Sequence, residues 1–285
     1  MSDRRTSPHP GPAAIAEDPH LRSQFMRQLL TASGGPTSPA NGNTAPRVLV
    51  QFWNDASTVP GDVQECLDSW APLENAGFER LLFDDTSAGR FIQEHFAEQH
   101  MRAFARCHHP AMRADYFRLC FMLRVGGLYV DADDECQGAS VEPLVIDGVL
   151  RLQPLVYDIP SDSMVAVERA LDTSDTGERI FYVNNNPIIT APEHPVIAKS
   201  LERATALLLA ADESDRDIQA LTGPGNLTAS LVAYAAELQA QGKTPTFELM
   251  TCWDTVAVSK WPLSYRADER NWRHWVRGEG KAARS

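Results

Sequence analysis

The sequence predicts an α/β fold: an open sheet with a substantially parallel core, flanked by helices and preceded by a flexible N-terminal tail. Three observations carry this reading. Short apolar runs alternate with helix-like stretches from Arg47 to Val130. One of these runs ends in a block of acidic residues, as strands of open α/β sheets do where they meet a ligand. Hydrophobic residues make up 43% of the 285, close to the roughly 45–50% of globular domains, so a sizeable core can be buried.

Residues 1–46 stand apart. Ser7–Pro12 and Ser33–Pro46 have the Pro, Gly, Ser, Thr and Asn content of linkers. Between them, Leu21, Phe25, Met26, Leu29 and Leu30 recur at helical spacing, predicting one short amphipathic helix over His20–Leu30. Its polar face is not strongly basic, which favours packing on the body over binding a membrane. The segment 1–46 is therefore expected to be a tail whose removal spares the site, and residues 47–285 a single domain.

Within that domain, Val48–Trp53 reads as a buried strand and Asp62–Trp70 as a helix. Glu79–Phe83 reads as a second strand, followed by a helix capped by Thr86 or Ser87 with Phe91, Ile92, His95 and Phe96 inward. Cys107-His108-His109 reads as a polar loop, and His95, His100, His108 and His109 as surface residues. Pro110 opens a helix that runs to Val125. Gly126-Gly127 ends it before a strand at Leu128–Val130. Downstream, Val149–Val156 and Met164–Val167 read as strands, Phe181–Val183 and Ile188–Thr190 as strands around an Asn-Pro turn, and Pro195–Ala211 and Leu227–Leu238 as helices.

The charge balance is acidic, with 26 Lys and Arg against 38 Asp and Glu and a net charge of −12. This disfavours a nucleic-acid binder that relies on a basic surface. No apolar run approaches the roughly 18 residues of a membrane span. The N-terminus lacks the apolar segment of a signal peptide, and the five cysteines are scattered with no C-x-x-C pair. Together these predict a reducing, cytoplasmic setting with buried thiols.

The chemistry concentrates in residues 111–134. Asp115 and Arg118 share one face of a helix that is otherwise rich in Met, Tyr, Phe and Leu. Charges in so apolar a helix need a partner or a ligand. An internal ion pair and a functional site fit that placement equally. After Gly126-Gly127, the strand Leu128-Tyr129-Val130 emerges as Asp131-Ala132-Asp133-Asp134. Asp131 and Asp133 can both reach one hard cation, and oxygen ligands of this kind suit magnesium or manganese, which share coordination with substrate phosphates.

These residues resemble a known family. The run Val48-Leu49-Val50-Gln51-Phe52-Trp53, then Ala114-Asp115-Tyr116 with Arg118, then Gly126-Gly127 with Tyr129, Asp131 and Asp133, is similar to the DXD-containing glycosyltransferases of family thirty-two. That family includes yeast α-mannosyltransferases and inositol-phosphoceramide mannosyltransferases, and the clostridial glucosylating toxins share its core pattern. Asn184-Asn185-Asn186-Pro187, Glu193-His194-Pro195 and Thr222-Gly223-Pro224 resemble later landmarks of the same family. The resemblance implies a GT-A-type, Rossmann-like sheet, a UDP- or GDP-sugar donor, Mn2+ or Mg2+, and transfer with retention at the anomeric carbon. It assigns Trp53 to stacking on the donor base, Asp115 and Arg118 to the donor sugar and its phosphate side, and Tyr129 to a place beside the donor. Asp131 and Asp133 match the metal motif, in which the second Asp contacts the ion directly. Thr222-Gly223-Pro224 matches a loop near the nucleotide, and His274-Trp275 loosely matches a C-terminal loop over the diphosphate. The acceptor stays open among polysaccharide, lipid, small molecule and protein.

Other readings accompany this one. Trp53 can be a core aromatic, Asn184–Asn186 only a turn rather than an acceptor contact at Asn185, and Gly223–Asn226 only the start of a helix. A phosphohydrolase of the haloacid dehalogenase type also places D-x-D after an apolar strand, but its motif continues with Thr or Val where this chain has Glu135, and it sits near the domain's start. A nucleotide-sugar-binding module without turnover is the non-enzymatic alternative, opposed by the intact Asp115, Arg118, Asp131 and Asp133.

Overall fold

The computed structural model describes residues 10–32, 44–172, 178–212 and 217–277, with side chains as far as residue 274. In chain order, α1 (Pro12–Glu17) and α2 (Pro19–Thr31) precede β1 (Val48–Phe52), α3 (Gly61–Ser69), α4 (Pro72–Asn75), β2 (Glu79–Phe83), α5 (Asp85–His95), α6 (Glu98–Ala105) and α7 (Pro110–Arg124). Then come β3 (Gly127–Tyr129), β4 (Asp134–Cys136), α8 (Glu142–Val145), β5 (Leu150–Asp158), β6 (Ser163–Val165), α9 (Val167–Leu171) and β7 (Arg179–Thr190). The chain continues through α10 (Pro195–Ala210), α11 (Ile218–Leu221), α12 (Pro224–Ala240), β8 (Phe247–Leu249), β9 (Ala257–Ser259) and α13 (Trp272–Arg277).

The central sheet has seven strands in the order β2-β1-β3-β7-β5-β6, with β8 also paired to β5. β2, β1 and β3 run parallel; β7 pairs antiparallel to β3, and β5 antiparallel to β7. β4 and β9 form a separate antiparallel pair. The parallel block is the βαβ part of the chain, and the acidic motif leaves it at the end of β3. Gly126 and Gly127 make that strand possible. Both have positive φ, at +77° and +102°, and a Cβ on either would stand 2.6 Å from a backbone oxygen, of Thr190 or of Val48. Only glycine fits where β3 slots between β1 and β7.

Helix α7 lies in the middle of the largest core cluster, which explains its apolar composition. Phe117 and Phe121 pack on Phe83 with ring centroids 4.7 and 5.6 Å away. Tyr116 donates or accepts with Thr205 Oγ1 on α10 at 2.7 Å. At its start, His109 Nδ1 accepts from the Ala111 N–H at 3.1 Å, and Nε2 faces the Glu269 carbonyl at 3.0 Å. His109 is thus a buried cap, not a surface residue, because both ring nitrogens are used in the neutral form; His100 is likewise engaged, with Tyr116 Oη at 3.0 Å.

Several elements differ from the sequence reading. The cap of α5 is Asp84, whose carboxylate accepts from Ser87 N while Ser87 Oγ accepts from Asp84 N, a reciprocal capping box. Residues 179–190 form one strand running through Asn184–Pro187, including the cis Asn186–Pro187 peptide, rather than two strands around a turn. Asn and Pro suggested a turn, but the Asn side chains are bonded into the site described below. Val167 begins α9 instead of ending a strand.

The tail also differs from its expectation. Residues 10–32 form two helices, and Ala16, Phe25 and Met26 are buried in the main core cluster. Ser23 Oγ donates to the Arg179 carbonyl and accepts from the Phe181 N–H, tying α2 to β7. Arg203 forms an ion pair with Glu17 at 2.8 Å. Packing of α2 on the body is as its polar face suggested; the linker-like flanks hid α1 and the depth of burial, since composition around a helix says nothing about how far its apolar face enters the core. Met26→Ala is expected to cost about 2–5 kcal/mol, the range for a buried Met, read as a lower urea midpoint at unchanged m. Removing residues 1–32 is expected to lower the melting temperature; a truncated chain that melts like the full one would make these helices an appendage.

His194 caps α10. Its Nδ1 accepts from Val196 N at 3.2 Å, and its Nε2 faces the Thr246 carbonyl at 3.1 Å. Burial pushes its pKa down to about 4. An unfolded His titrates near 6.5, so the unfolded chain takes up a proton first as pH falls. The contribution is complete above about pH 6.5 and lost as pH drops to about 4, worth about 3 kcal/mol in total. His194→Asn keeps a capping oxygen and is expected to flatten the stability slope between pH 6.5 and 4, measured by urea unfolding across that window. An unchanged slope would remove His194 as its source.

Candidate active site

The carboxyl end of β3, the inner face of α7 and the middle of β7 converge on one cavity of about 690 Å³. Arg118 is its hub. Nη1 donates to the Asn185 carbonyl at 2.7 Å. Nη2 bridges Asp131 Oδ1 at 2.9 Å and Asp115 Oδ1 at 3.0 Å. The guanidinium also lies 4.3 Å from the centroid of the Tyr129 ring, whose hydroxyl donates to Asp131 Oδ1 at 3.2 Å. The pair at i and i+3 that the sequence singled out is therefore real, and it reaches beyond itself to the acidic strand end.

Asp115 accepts from Asn185 Nδ2 at 2.8 Å and from Thr222 Oγ1 at 3.2 Å. The turn between α11 and α12 comes so close that a Cβ on Gly223 would sit 3.4 Å from Asp115 Oδ2. Thr222 is buried and Pro224 lines the cavity. Burial pushes the Asp115 carboxyl up, while Arg118, Asn185 and Thr222 pull it back. Asp131 is pushed up to about 6, first by burial and then by the repulsion of Asp133 and Asp115, against the pull of Arg118. Burial opposes the Arg118 charge, but Asp131, Tyr129 and Asp115 hold it firmly in place and raise its pKa.

The three carboxylates of this strand exit separate in role. Asp131 faces Arg118, and its N–H donates to Asn186 Oδ1 at 3.0 Å. Asp133 accepts from Tyr265 Oη at 2.6 Å and from Arg266. Asp134 turns inward, accepting from Asn186 Nδ2 at 2.8 Å and from Ser259 Oγ. Burial first, then Asp133 and Asp131, pushes its pKa up to about 7. It is structural: it fastens β7 and β9 to the end of β3.

Trp53, Asn54, Pro110, Gln153, Asn184 and Asp254 also line the cavity. Trp53 is mostly buried, its Nε1 has no hydrogen-bond partner, and Tyr265 meets its ring edge-to-face at 5.2 Å. Arg270 lies 5.6 Å from the same ring. His274 does not line the cavity; its Nδ1 lies 3.2 Å from the Asp268 carbonyl. Trp275 falls in α13, and its side chain lies outside the described residues. The neighbouring Asn271, Trp272 and Arg273 line the cavity instead.

A family comparison covers the segment that holds most of these residues. Residues 53–147 match the family model of the glycosyltransferase sugar-binding region containing a DXD motif. Over that segment the chain is similar to the DXD glycosyltransferases. The matched segment includes Trp53, Asp115, Arg118, Tyr129, Asp131 and Asp133. A solved structure, the PaToxG glycosyltransferase, is similar over 92% of this chain and 94% of its own, at 13% identity and a TM-score of 0.40. No curated protein matches the chain significantly. No helix among the described residues is long and apolar enough to cross a membrane.

Sequence reading missed part of this cavity. Asn186 carried a usable signal, since it sits in the Asn run already noted. Tyr265, Arg266, Gln153 and Asp254 carried none, because nothing local marks a residue that meets its partner more than a hundred positions away.

Proposed function

We propose that the protein transfers a sugar from a nucleotide-sugar donor, a UDP- or GDP-sugar, to an acceptor hydroxyl, with retention at the anomeric carbon and with Mn2+ or Mg2+ bound. The observation that supports it best is the joint placement of Asp115, Arg118, Asp131 and Asp133 in the lining of one cavity of about 690 Å³, within the roughly 300–1,000 Å³ of small-ligand sites.

The donor set suits a hard divalent ion. Asp131 and Asp133 supply only carboxylate oxygens, and no group of three or more His, Cys, Asp or Glu among the described residues is placed to hold a metal. That matches ions which take one or two carboxylates and complete their shell with water and phosphate oxygens. Asp133 would be the direct ligand, with Asp131 beside it. When bound, the ion neutralises charge on the departing diphosphate.

The chain's own groups do the rest. Trp53, lining the same cavity as Pro224, offers an aromatic wall for the base. Asp115 accepts hydrogen bonds from sugar hydroxyls and fixes the ring, and Tyr129 supports it from beneath Arg118. Arg118 presents its guanidinium to the leaving oxygen as the bond from the anomeric carbon to phosphate breaks and its electron pair moves to phosphate. The acceptor oxygen attacks from the same face, and its proton passes to the departing phosphate oxygen. No side-chain nucleophile is required. Asn185, behind Asp115, orients it.

The test is a panel of UDP- and GDP-sugars with MnCl2, reading nucleoside diphosphate release and, by NMR, the anomer first formed. Release from one nucleotide class with the donor's configuration kept supports the proposal. Inversion would overturn the retaining step. Release of inorganic phosphate from phosphomonoesters, with all sugar donors intact, would favour phosphohydrolysis instead.

A further inference from the structure

The two cavity arginines are held very differently. Each guanidinium nitrogen of Arg118 has a partner, Nε the Ala114 carbonyl, Nη1 the Asn185 carbonyl and Nη2 both Asp115 and Asp131, which engages four of its five N–H groups. Arg266 pairs with Asp133 alone among the ion pairs of the described residues, and its Nε is buried with no hydrogen-bond partner. Its guanidinium lies 3.5 Å from the centroid of the Trp261 ring. An unmade hydrogen bond on a buried donor costs about 1–3 kcal/mol, so this contact is the less satisfied of the two. The backbone around it is anchored elsewhere. Ser264 Oγ donates to Asp62 at 2.9 Å, His109 Nε2 meets the Glu269 carbonyl at 3.0 Å, and Asn271 Nδ2 donates to the Arg266 carbonyl at 2.7 Å. A swing of the Arg266 side chain can therefore release Asp133 without unseating the segment.

We propose that Arg266 is a resident counter-ion of Asp133 that a divalent cation displaces, leaving a guanidinium at the cavity rim to meet the diphosphate that arrives with the cation. This rests on the reading of Asp133 as the direct metal ligand. Arg266 balances the Asp133 charge before loading, so the metal alone works against it. Metal and nucleoside diphosphate together recover the guanidinium as an anion ligand. Each ligand thus strengthens the other through one side chain, a coupling that is reciprocal by linkage.

The experiment titrates MnCl2 into the full chain without donor, following free Mn2+ by electron paramagnetic resonance, then repeats with UDP and with GDP. Arg266→Gln is expected to tighten Mn2+ alone by about tenfold, the equivalent of about 1.4 kcal/mol, and to weaken the mutual strengthening by nucleotide. Arg266→Lys, which keeps the charge, should stay near wild type. Should Arg266→Gln fail to fold, Trp261→Leu removes the aromatic seat from an exposed position and should shift Mn2+ affinity in the same direction. Wild-type binding that neither variant tightens overturns the counter-ion role and leaves the metal reading standing. Absence of Mn2+ binding in every variant, with or without either nucleotide, overturns the metal reading and this inference with it.

Discussion

Arg118→Lys is expected to lower turnover by about 10²–10³-fold, the size of effect seen when one preorganised donor to a developing oxyanion is lost. The substitution keeps the charge but not the planar fork. In this site the fork does three things at once: Nη1 holds the Asn185 carbonyl, Nη2 bridges Asp115 and Asp131, and the plane lies against Tyr129. A lysine ammonium can serve one or two of these positions. Burial of Arg118 at 3% exposure adds a structural cost. Breaking a buried charged network costs up to about 3–5 kcal/mol when a partner is removed outright, and less when a charge remains. The informative measurement is therefore activity per folded molecule, with assays well below the melting temperature of the variant. A folded fraction with wild-type turnover would make Asp115–Arg118 an internal brace and nothing more. A loss in kcat larger than any change in folded fraction supports its place beside the reacting phosphate.

What the sequence disclosed about this site follows a physical boundary. Asp115, Arg118, Tyr129, Asp131 and Asp133 were readable because a helix turn and a strand exit place them by local rules, and local rules act within a few residues. Asn185 and Asn186 were half-readable: their clustering was visible, but Asn favours turns, and only the pairing of β7 with β3 and β5 keeps residues 179–190 extended. Tyr265 and Arg266 were unreadable, since a contact with Asp133 depends on where the whole C-terminal segment is anchored. His109 was misjudged for a related reason. It looks like a polar loop residue, yet it becomes a buried cap once its second nitrogen finds the Glu269 carbonyl of a distant segment. The helices of residues 10–32 followed the same pattern. Their spacing predicted α2, while its docking on β7 through Ser23 was a tertiary fact.

Asp133→Asn is expected to abolish most turnover, by about 10²–10³-fold or more, because it removes the carboxylate charge that a direct ligand to a divalent ion needs. The substitution preserves shape, and the Asn carbonyl oxygen can still accept from Tyr265. Arg266 loses its ion-pair partner, so a modest fall in melting temperature is expected, well short of unfolding. The decisive comparison crosses the variant with a chelator. In wild type, chelation is expected to remove activity and added Mn2+ or Mg2+ to restore it. In Asp133→Asn, chelation is expected to change the residual rate little, because variant and chelator delete the same contribution and their effects cannot add. If chelation lowers the variant by the same factor as wild type, the ion is held elsewhere, and Asp133 serves only as the anchor of Tyr265 and Arg266. Full transferase activity of the wild type in metal-free buffer would remove the ion from the reaction, leaving Arg118 and Arg266 as the cations that face the diphosphate.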